Sequence, residues 1–486
     1  MDNSLDKIKT VTRRHFLNQC AGGIGSLALG SLMGCNFNKE SFSSETVNKH
    51  FARVPHFPAR AKNVIYMHMA GAPSQLELFD YKPELFKLDN QECPPSLLEG
   101  KRFAFIRGVP KMLGPKTTFS QKGQSGAWVS ANLPHFSTIV DEVSIIKSVT
   151  TDQFNHAPAQ LFVHTGSPRL GRPSLGSWVT YGLGSENNNL PGFVVLTSGG
   201  KTPDAGKSVW GSGFLPSVYQ GVQCRSEGDP VLYLNDPEGI DRDLQHTTID
   251  AINRVNKKHF DEVNDPETLT RMAQYEMAYK MQISVPDVMS IENESEYIHK
   301  LYGTTPGKES FANNCLLARK LVEKGVRFVQ LFDWGWDSHG TDFDNALDLG
   351  FRNKCREIDR PMTALILDLK QRGLLDETLV VWGSEFGRTP MQENRDGKEM
   401  PFYGRDHHLE AFTIWMAGAG IKKGFSWGET DEIGYYPIKG KVAVHDVNAT
   451  ILNRLGFDHE KLIYHFQGRP FRLTDVAGNV IKEVLA

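Results

Sequence analysis

In Thr378-Leu-Val-Val-Trp-Gly-Ser-Glu-Phe-Gly-Arg-Thr389, four strand-forming residues, Leu379 to Trp382, run without a polar break into glycines that flank Glu385, with Arg388 three positions later. An apolar run of this kind, without alternation, is what a strand buried on both faces requires. Open α/β sheets bind ligands beyond the carboxyl ends of their strands. Glu385 and Arg388 are therefore expected at such an end.

Outward from this stretch the chain alternates helix and strand patterns. Phe311, Cys315, Leu316 and Val322 share a helix face that Gly325 stops, and Val326–Phe332 reads as the next strand. Met362, Leu365, Ile366 and Leu369 repeat the pattern, with Gly373 as the stop. Phe412–Met416 follows as a strand, and Asp446 opens a helix through Leu455 that Gly456 ends. Upstream, Asn63–Met69, Val143–Val149 and Phe193–Leu196 read as strands, and Pro158 suits the first turn of a helix reaching His164. Helices interleaved with apolar strands predict an α/β fold, a mainly parallel sheet covered by helices on both faces. Between about residues 199 and 305 glycine, serine and aspartate become frequent and only Ile249–Met281 reads as strongly helical, so this segment is expected to be a cap insertion in a core of residues 63–486.

The formal net charge of −3 and the absence of a long basic run argue against nucleic acid as a partner. Thr12-Arg13-Arg14-His15-Phe16-Leu17 reads as a twin-arginine export signal, so the export machinery is an expected partner. The Gly-rich segment Ala21–Gly34 is too short to span a bilayer. Leu32-Met33-Gly34-Cys35 reads as a lipobox, with Cys35 as the acylated residue. Residues 1–34 are then a signal peptide and 35–62 a polar tether. The expected location is the periplasm or cell surface, with membrane contact only through the lipid. Cys93, Cys224, Cys315 and Cys355 show no C-x-x-C pairing, which gives neither a zinc knuckle nor a disulfide framework.

Three late strands each deliver chemistry at one end: Asp333, Asp337 and His339; then Glu385 and Arg388; then Asp406, His407 and His408. Mixed imidazole and carboxylate donors suit one divalent ion, zinc, manganese or calcium. An arginine beside it would clamp a tetrahedral anion. Gly424-Phe-Ser-Trp-Gly428 fits a nucleophile elbow in letters only, because no strand precedes it and no helix follows.

Gly171-Arg-Pro-Ser-Leu-Gly-Ser-Trp178, Gly335-Trp-Asp-Ser-His-Gly340, Gly383-Ser-Glu-Phe-Gly-Arg-Thr389, Tyr403-Gly-Arg-Asp-His-His408 and Phe466-Gln-Gly-Arg-Pro-Phe-Arg-Leu-Thr-Asp475 resemble the domain-of-unknown-function family 1501. These are exported, sulfatase-like proteins of the alkaline-phosphatase superfamily, and the resemblance implies that superfamily's α/β core. Laid over the sulfatase nucleophile motif, Asn155-His-Ala-Pro-Ala-Gln160 through Thr165-Gly166 puts His156 at the nucleophile position and Gln160 at the arginine. Ser384-Glu-Phe-Gly387 resembles the S-D-H-G strand end but lacks its imidazole, and Ala70 and Gly71 stand where the first acidic ligand is expected. The resemblance implies a site reduced to one ion, with Asp337, His339 and His407 or His408 as ligands and Glu385 and His156 close by. Cys93-Pro-Pro-Ser96 imitates the sulfatase signature but has Leu97 in place of arginine.

The expected function is a metal-dependent hydrolase of small-molecule or glycan sulfate or phosphate esters, polysaccharides included. Arg388 would stabilise oxyanion charge and His156 would serve as ligand or general base. The alternative is a non-catalytic relative that binds sulfated glycans or anions, because the nucleophile position is substituted.

Overall fold

The run Asn63–Ala70 forms the central strand, β1, in a computed structural model that describes residues 53–486 apart from 229, 231–241 and 396. After it come β2 (Val143–Thr150), α1 (His156–Thr165), β3 (Phe193–Ser198), β4 (Val222–Cys224), α2 (Phe311–Glu323) and β5 (Phe328–Trp334). Then follow α3 (Gly350–Gln371), β6 (Thr378–Gly383), β7 (Gly387–Arg388), β8 (His407–His408), β9 (Phe412–Ala417), β10 (Phe425–Trp427), β11 (Val442–Ala443) and α4 (Val444–Arg454). The sheet order is β10-β2-β9-β6-β1-β5-β3-β4, with β11 beside β2. From β6 to β4 the strands are parallel, whereas β9 runs antiparallel to both β6 and β2.

Side-chain alternation along each strand sorts residues between two helical layers. In β1, Ile65, Met67 and Met69 join one apolar cluster with Leu316 of α2 and Leu365 of α3. Val64 and Tyr66 face the other way, into a cluster with Phe162 of α1, Trp178 and Ile451 of α4. His68 has the parity of Val64 and Tyr66. All three are buried, and His68 stacks on Tyr66 and meets His164 of α1 and Phe332 of β5 edge-on. The fold class is thus α/β, a mostly parallel sheet between helical layers, as the apolar runs predict.

Two boundaries differ from expectation. Ile249–Met281 is not one helix but parts of two, Arg242–Val263 and Pro266–Met289. The break falls at Asn264, whose φ of 53° leaves the helical region just before Pro266 opens the second helix. Residues 53–62, expected in the tether, are docked: Arg53 N–H donates to the Gly182 carbonyl and Arg60 N–H to that of Arg454. The second of the two helices adds Met281, Val285, Val288 and Met289 to the core, and β4 extends the sheet edge. The twin-arginine signal, the lipobox and Cys35 lie outside the described residues. No helix among the described residues is long and apolar enough to cross a membrane. Cys93, Cys224, Cys315 and Cys355 are free and buried, and Phe425–Trp427 lies within strand β10, so no nucleophile elbow forms there.

Candidate metal centre

The parallel strands end at one edge of the sheet, and the antiparallel β9 begins there. That polarity brings distant segments together. Asp337 and His339 follow β5, Glu385 follows β6, His156 opens α1 after β2, and His407 precedes β9.

The histidines His156, His339 and His407 turn Nε2 toward one oxygen, Asp337 Oδ1, at 3.2, 2.8 and 3.4 Å. Each ring is held from behind through Nδ1. His156 Nδ1 meets Glu385 Oε1 at 2.7 Å, His407 Nδ1 donates to the Phe154 carbonyl at 2.6 Å, and His339 Nδ1 meets Glu393 Oε2. A carboxylate or carbonyl can only accept, so Nδ1 carries a proton in each ring, and the Nε2 atoms face inward, where a cation would replace any proton they share with Asp337. This is the arrangement that orients imidazole ligands around a cation. The four donor atoms lie within 4.8 Å of one another. Burial, outweighing the Asp337 carboxylate, pushes His407 down to about 4, so its ring is neutral. Against the burial of Asp337, Arg388 and the three imidazoles hold its carboxyl well below the usual range. Solvent reaches the cluster through Asp337, whose side chain is 31% exposed.

Arg388 does not face this opening. It is fully buried, with Nε donating to the Ala72 carbonyl at 2.9 Å and Nη1 to that of Arg405 at 3.0 Å. Nη2 serves the Gly71 carbonyl and Asp337 Oδ1, each at 2.5 Å. Four of its five N–H bonds are spent on these acceptors, so its geometry ties loops together at a fully buried position instead of presenting an open fork to an oxyanion, the role expected for it. Gly71 permits the approach: it sits at φ 106°, and a Cβ there would lie 2.7 Å from the Asp337 nitrogen. Gly404 does the same for the His407 loop, since a Cβ there would lie 1.9 Å from the His339 carbonyl carbon. That loop is pinned by Arg405, which meets Glu77 in a fully buried ion pair at 2.7 Å.

Other expected residues fall outside the cluster. Glu385 is entirely buried behind His156, accepting at Oε1 from Gly71 N–H and the Gln160 amide at 2.9 and 3.2 Å, while Oε2 faces His68 Nε2 at 3.1 Å. It backs His156 and lies outside the four-donor cluster. His408 points away because neighbours on β8 face opposite sides. Its Nε2 meets the Tyr435 carbonyl at 2.7 Å. Asp333 bonds Ser198, Trp336 and Lys354 at 2.8, 3.0 and 2.8 Å. Asp406 accepts the backbone N–H groups of Phe105, Ile106 and His407. Cys93 is buried in a separate cluster, where burial pushes its thiol up to about 11. Glu393, Glu77 and His68, which sequence reasoning passed over, are parts of the site's support. Only the polar His68 inside an apolar strand carried a signal.

The family model described as "Protein of unknown function (DUF1501)" matches residues 61–485. No curated protein matches the chain in sequence. Among solved structures similar to it is the PsFucS1 sulfatase from Pseudoalteromonas sp., 12% identical, covering 91% of this chain and 74% of that one, TM-score 0.40. Another is the phosphonate monoester hydrolase of Agrobacterium radiobacter, 12% identical, covering 81% and 73%, TM-score 0.34. The alkaline phosphatase from the Antarctic bacterium TAB5 is 10% identical, covering 82% and 97%, TM-score 0.32.

Proposed function

The chain belongs to the DUF1501 family, and on that premise we propose that it hydrolyses sulfate or phosphate esters with one divalent ion held by His156, Asp337, His339 and His407. The observation that supports this reading is the convergence of three outward-anchored imidazoles on one carboxylate oxygen. Three nitrogens and one oxygen suit zinc or manganese; calcium takes oxygen ligands and is dropped from the expected set. A bound dication would supply Lewis acidity toward an ester oxygen and toward water.

The remaining chemistry falls to the chain. His156 takes the nucleophile position but is turned by Glu385 so that its Nε2 faces Asp337, and the Ser338 and Ser384 hydroxyls donate to the Trp336 and Phe386 carbonyls at 3.3 and 3.0 Å. Hydrolysis by water without a covalent enzyme ester follows from that placement. Asp204, exposed at this edge, brings its Oδ2 to 3.4 Å from the Gln160 amide. With Arg388 engaged, substrate charge falls to a rim of cations on aromatic faces. Arg395 lies 4.3 Å over Phe105, Arg102 5.6 Å over Phe154 and Lys201 5.6 Å over Trp334. Phe105 in turn packs edge-on against His339 and His407. Such a rim suits an anionic ester, and aromatic faces beside cations suit a sulfated or phosphorylated glycan. The Arg13-Arg14 signal and Cys35 place the enzyme, in this proposal, outside the cytoplasm on a lipid anchor.

The test is metal analysis of the folded protein together with hydrolysis of aryl sulfate and aryl phosphate. One zinc or manganese per chain, and turnover lost in Asp337→Ala and His339→Ala, is the expected result. No stoichiometric ion, or turnover intact in those variants, sinks the proposal. The substituted nucleophile position favours the non-catalytic reading instead if sulfated polymers bind without turnover and binding survives chelation.

A further inference from the structure

Behind the site, a line of polar side chains crosses a face of the sheet that is otherwise apolar. His68 Nε2 lies 3.1 Å from Glu385 Oε2, His164 Nε2 lies 3.1 Å from His68 Nδ1, and the Gln330 amide nitrogen lies 3.0 Å from His164 Nδ1. His68, His164, Gln330 and Glu385 are each at most 1% exposed, so no solvent can complete or reverse a bond. They come from separate elements: β1, α1, β5 and the turn after β6. The register that pairs Tyr66 with Gln330 and His68 with Phe332 sets the spacing. The Tyr66 ring meets His164 edge-on at 5.2 Å, and the Phe332 ring meets His68 and His164 edge-on at 5.3 Å. Buried polar groups amid such rings are costly unless every one is satisfied.

The carboxylate sets the direction. Glu385 Oε2 only accepts, so His68 Nε2 carries a proton. A neutral His68 then offers a bare Nδ1, which requires the proton of His164 at Nε2. His164 Nδ1 is left bare and accepts from the Gln330 amide. Complete burial holds His164 well below its ordinary pKa, in keeping with a neutral ring. The charges facing the line are the Glu385 carboxylate, with His156 beyond it, and the phenol of Tyr66 at its side.

We infer that Gln330, His164 and His68 form a one-way hydrogen-bond relay that, through Glu385, fixes the tautomer and orientation of His156. These are positioning residues. They set His68 Nε2 against Oε2 as its one close polar neighbour among the described residues, at 3.1 Å, while Oε1 serves His156 Nδ1, Gly71 N–H and Gln160. The functional meaning rests on His156 acting as a ligand, as proposed above; the relay itself does not.

Long-range 1H–15N correlation on histidine-labelled, metal-free full-length protein reads each ring nitrogen as bare or protonated. The expected pattern is His68 and His164 both neutral, with Nε2 protonated and Nδ1 bare. A doubly protonated His68, or a His164 protonated at Nδ1, overturns the relay whatever the metal does. Zinc titration then separates the two readings. Gln330→Glu, isosteric but able only to accept, reverses the last link and is expected to weaken zinc binding about 10-fold, within the range for groups that support ligands. Gln330→Leu removes one donor without reversing the direction and is expected to shift the affinity less than threefold. Equal loss in both variants marks a packing role and refutes the relay. Correct tautomers in a protein that binds no zinc leave the relay standing and remove the hydrolase proposal.

Discussion

Replacing Glu393 by glutamine removes a negative charge from a site that solvent does not reach, since the residue is 0% exposed. Its Oε2 holds the Nδ1 proton of His339, and its Oε1 takes Arg395 Nε at 2.7 Å. An amide oxygen can replace one of these contacts, but the amide N–H₂ then faces the other donor. The surviving bond to His339 would be neutral on the acceptor side, roughly half as strong as a charge-assisted one. Loss of a carboxylate behind an imidazole ligand costs about 10–100-fold in metal affinity, or about 1.4–2.8 kcal/mol. Competition against a chelator of known affinity, on protein shown to be folded by circular dichroism, measures it. Arg395→Met serves as control, because it leaves the His339 contact in place and is expected to lose less. An affinity for Glu393→Gln within twofold of wild type, in a protein that binds one ion, refutes the idea that Glu393 sets the His339 lone pair.

His407→Ala is expected to abolish zinc binding while His408→Gln leaves it within about threefold; the reverse order would mean that β8 presents the other face. In the metal-free protein, the Asp337 and Glu385 carboxylates outweigh burial and push His156 up to about 9. A folded-state value above the unfolded one gives stability that is complete below about pH 6.5 and lost as the pH rises through about 9. Urea denaturation of apoprotein should therefore show stability falling across that window while zinc affinity rises with loss of the competing proton; a flat profile for both contradicts the assignment. Glu77→Gln strands the Arg405 charge in a fully buried position and should cost about 3–5 kcal/mol, read as a lower urea midpoint. A loss under about 1 kcal/mol would show that Arg405 finds other acceptors.

Much of the fold was legible because a sheet covered on both faces needs long apolar runs, and glycines at positive φ mark where helices stop. Gly325, Gly373 and Gly456 sit at 84°, 72° and 85°. The rule that ligands gather at strand ends pointed to Asp337, His339, Glu385 and the histidine pair, which the structure brings to one edge. It could not choose between His407 and His408. That choice depends on the pairing of His407 with Arg388, a register the letters do not carry. Nor could it tell an arginine facing substrate from one spent on carbonyls. Glu393 and Glu77 act from loops, where no periodicity marks a position. Gln330 hides in a strand whose apolar neighbours dominate any reading.

The turn at Gly71 has a consequence for how this protein could change. The Asp337 nitrogen would lie 2.7 Å from any β-carbon placed at 71, and the 106° torsion disfavours every L side chain there. An aspartate at this position therefore cannot be gained by single replacement without displacing the backbone that carries Asp337. A carboxylate introduced at residue 71 would therefore need a rebuilt loop rather than a point mutation. Grafting a second ion into this scaffold should begin with residues 335–338, and only then turn to residue 71.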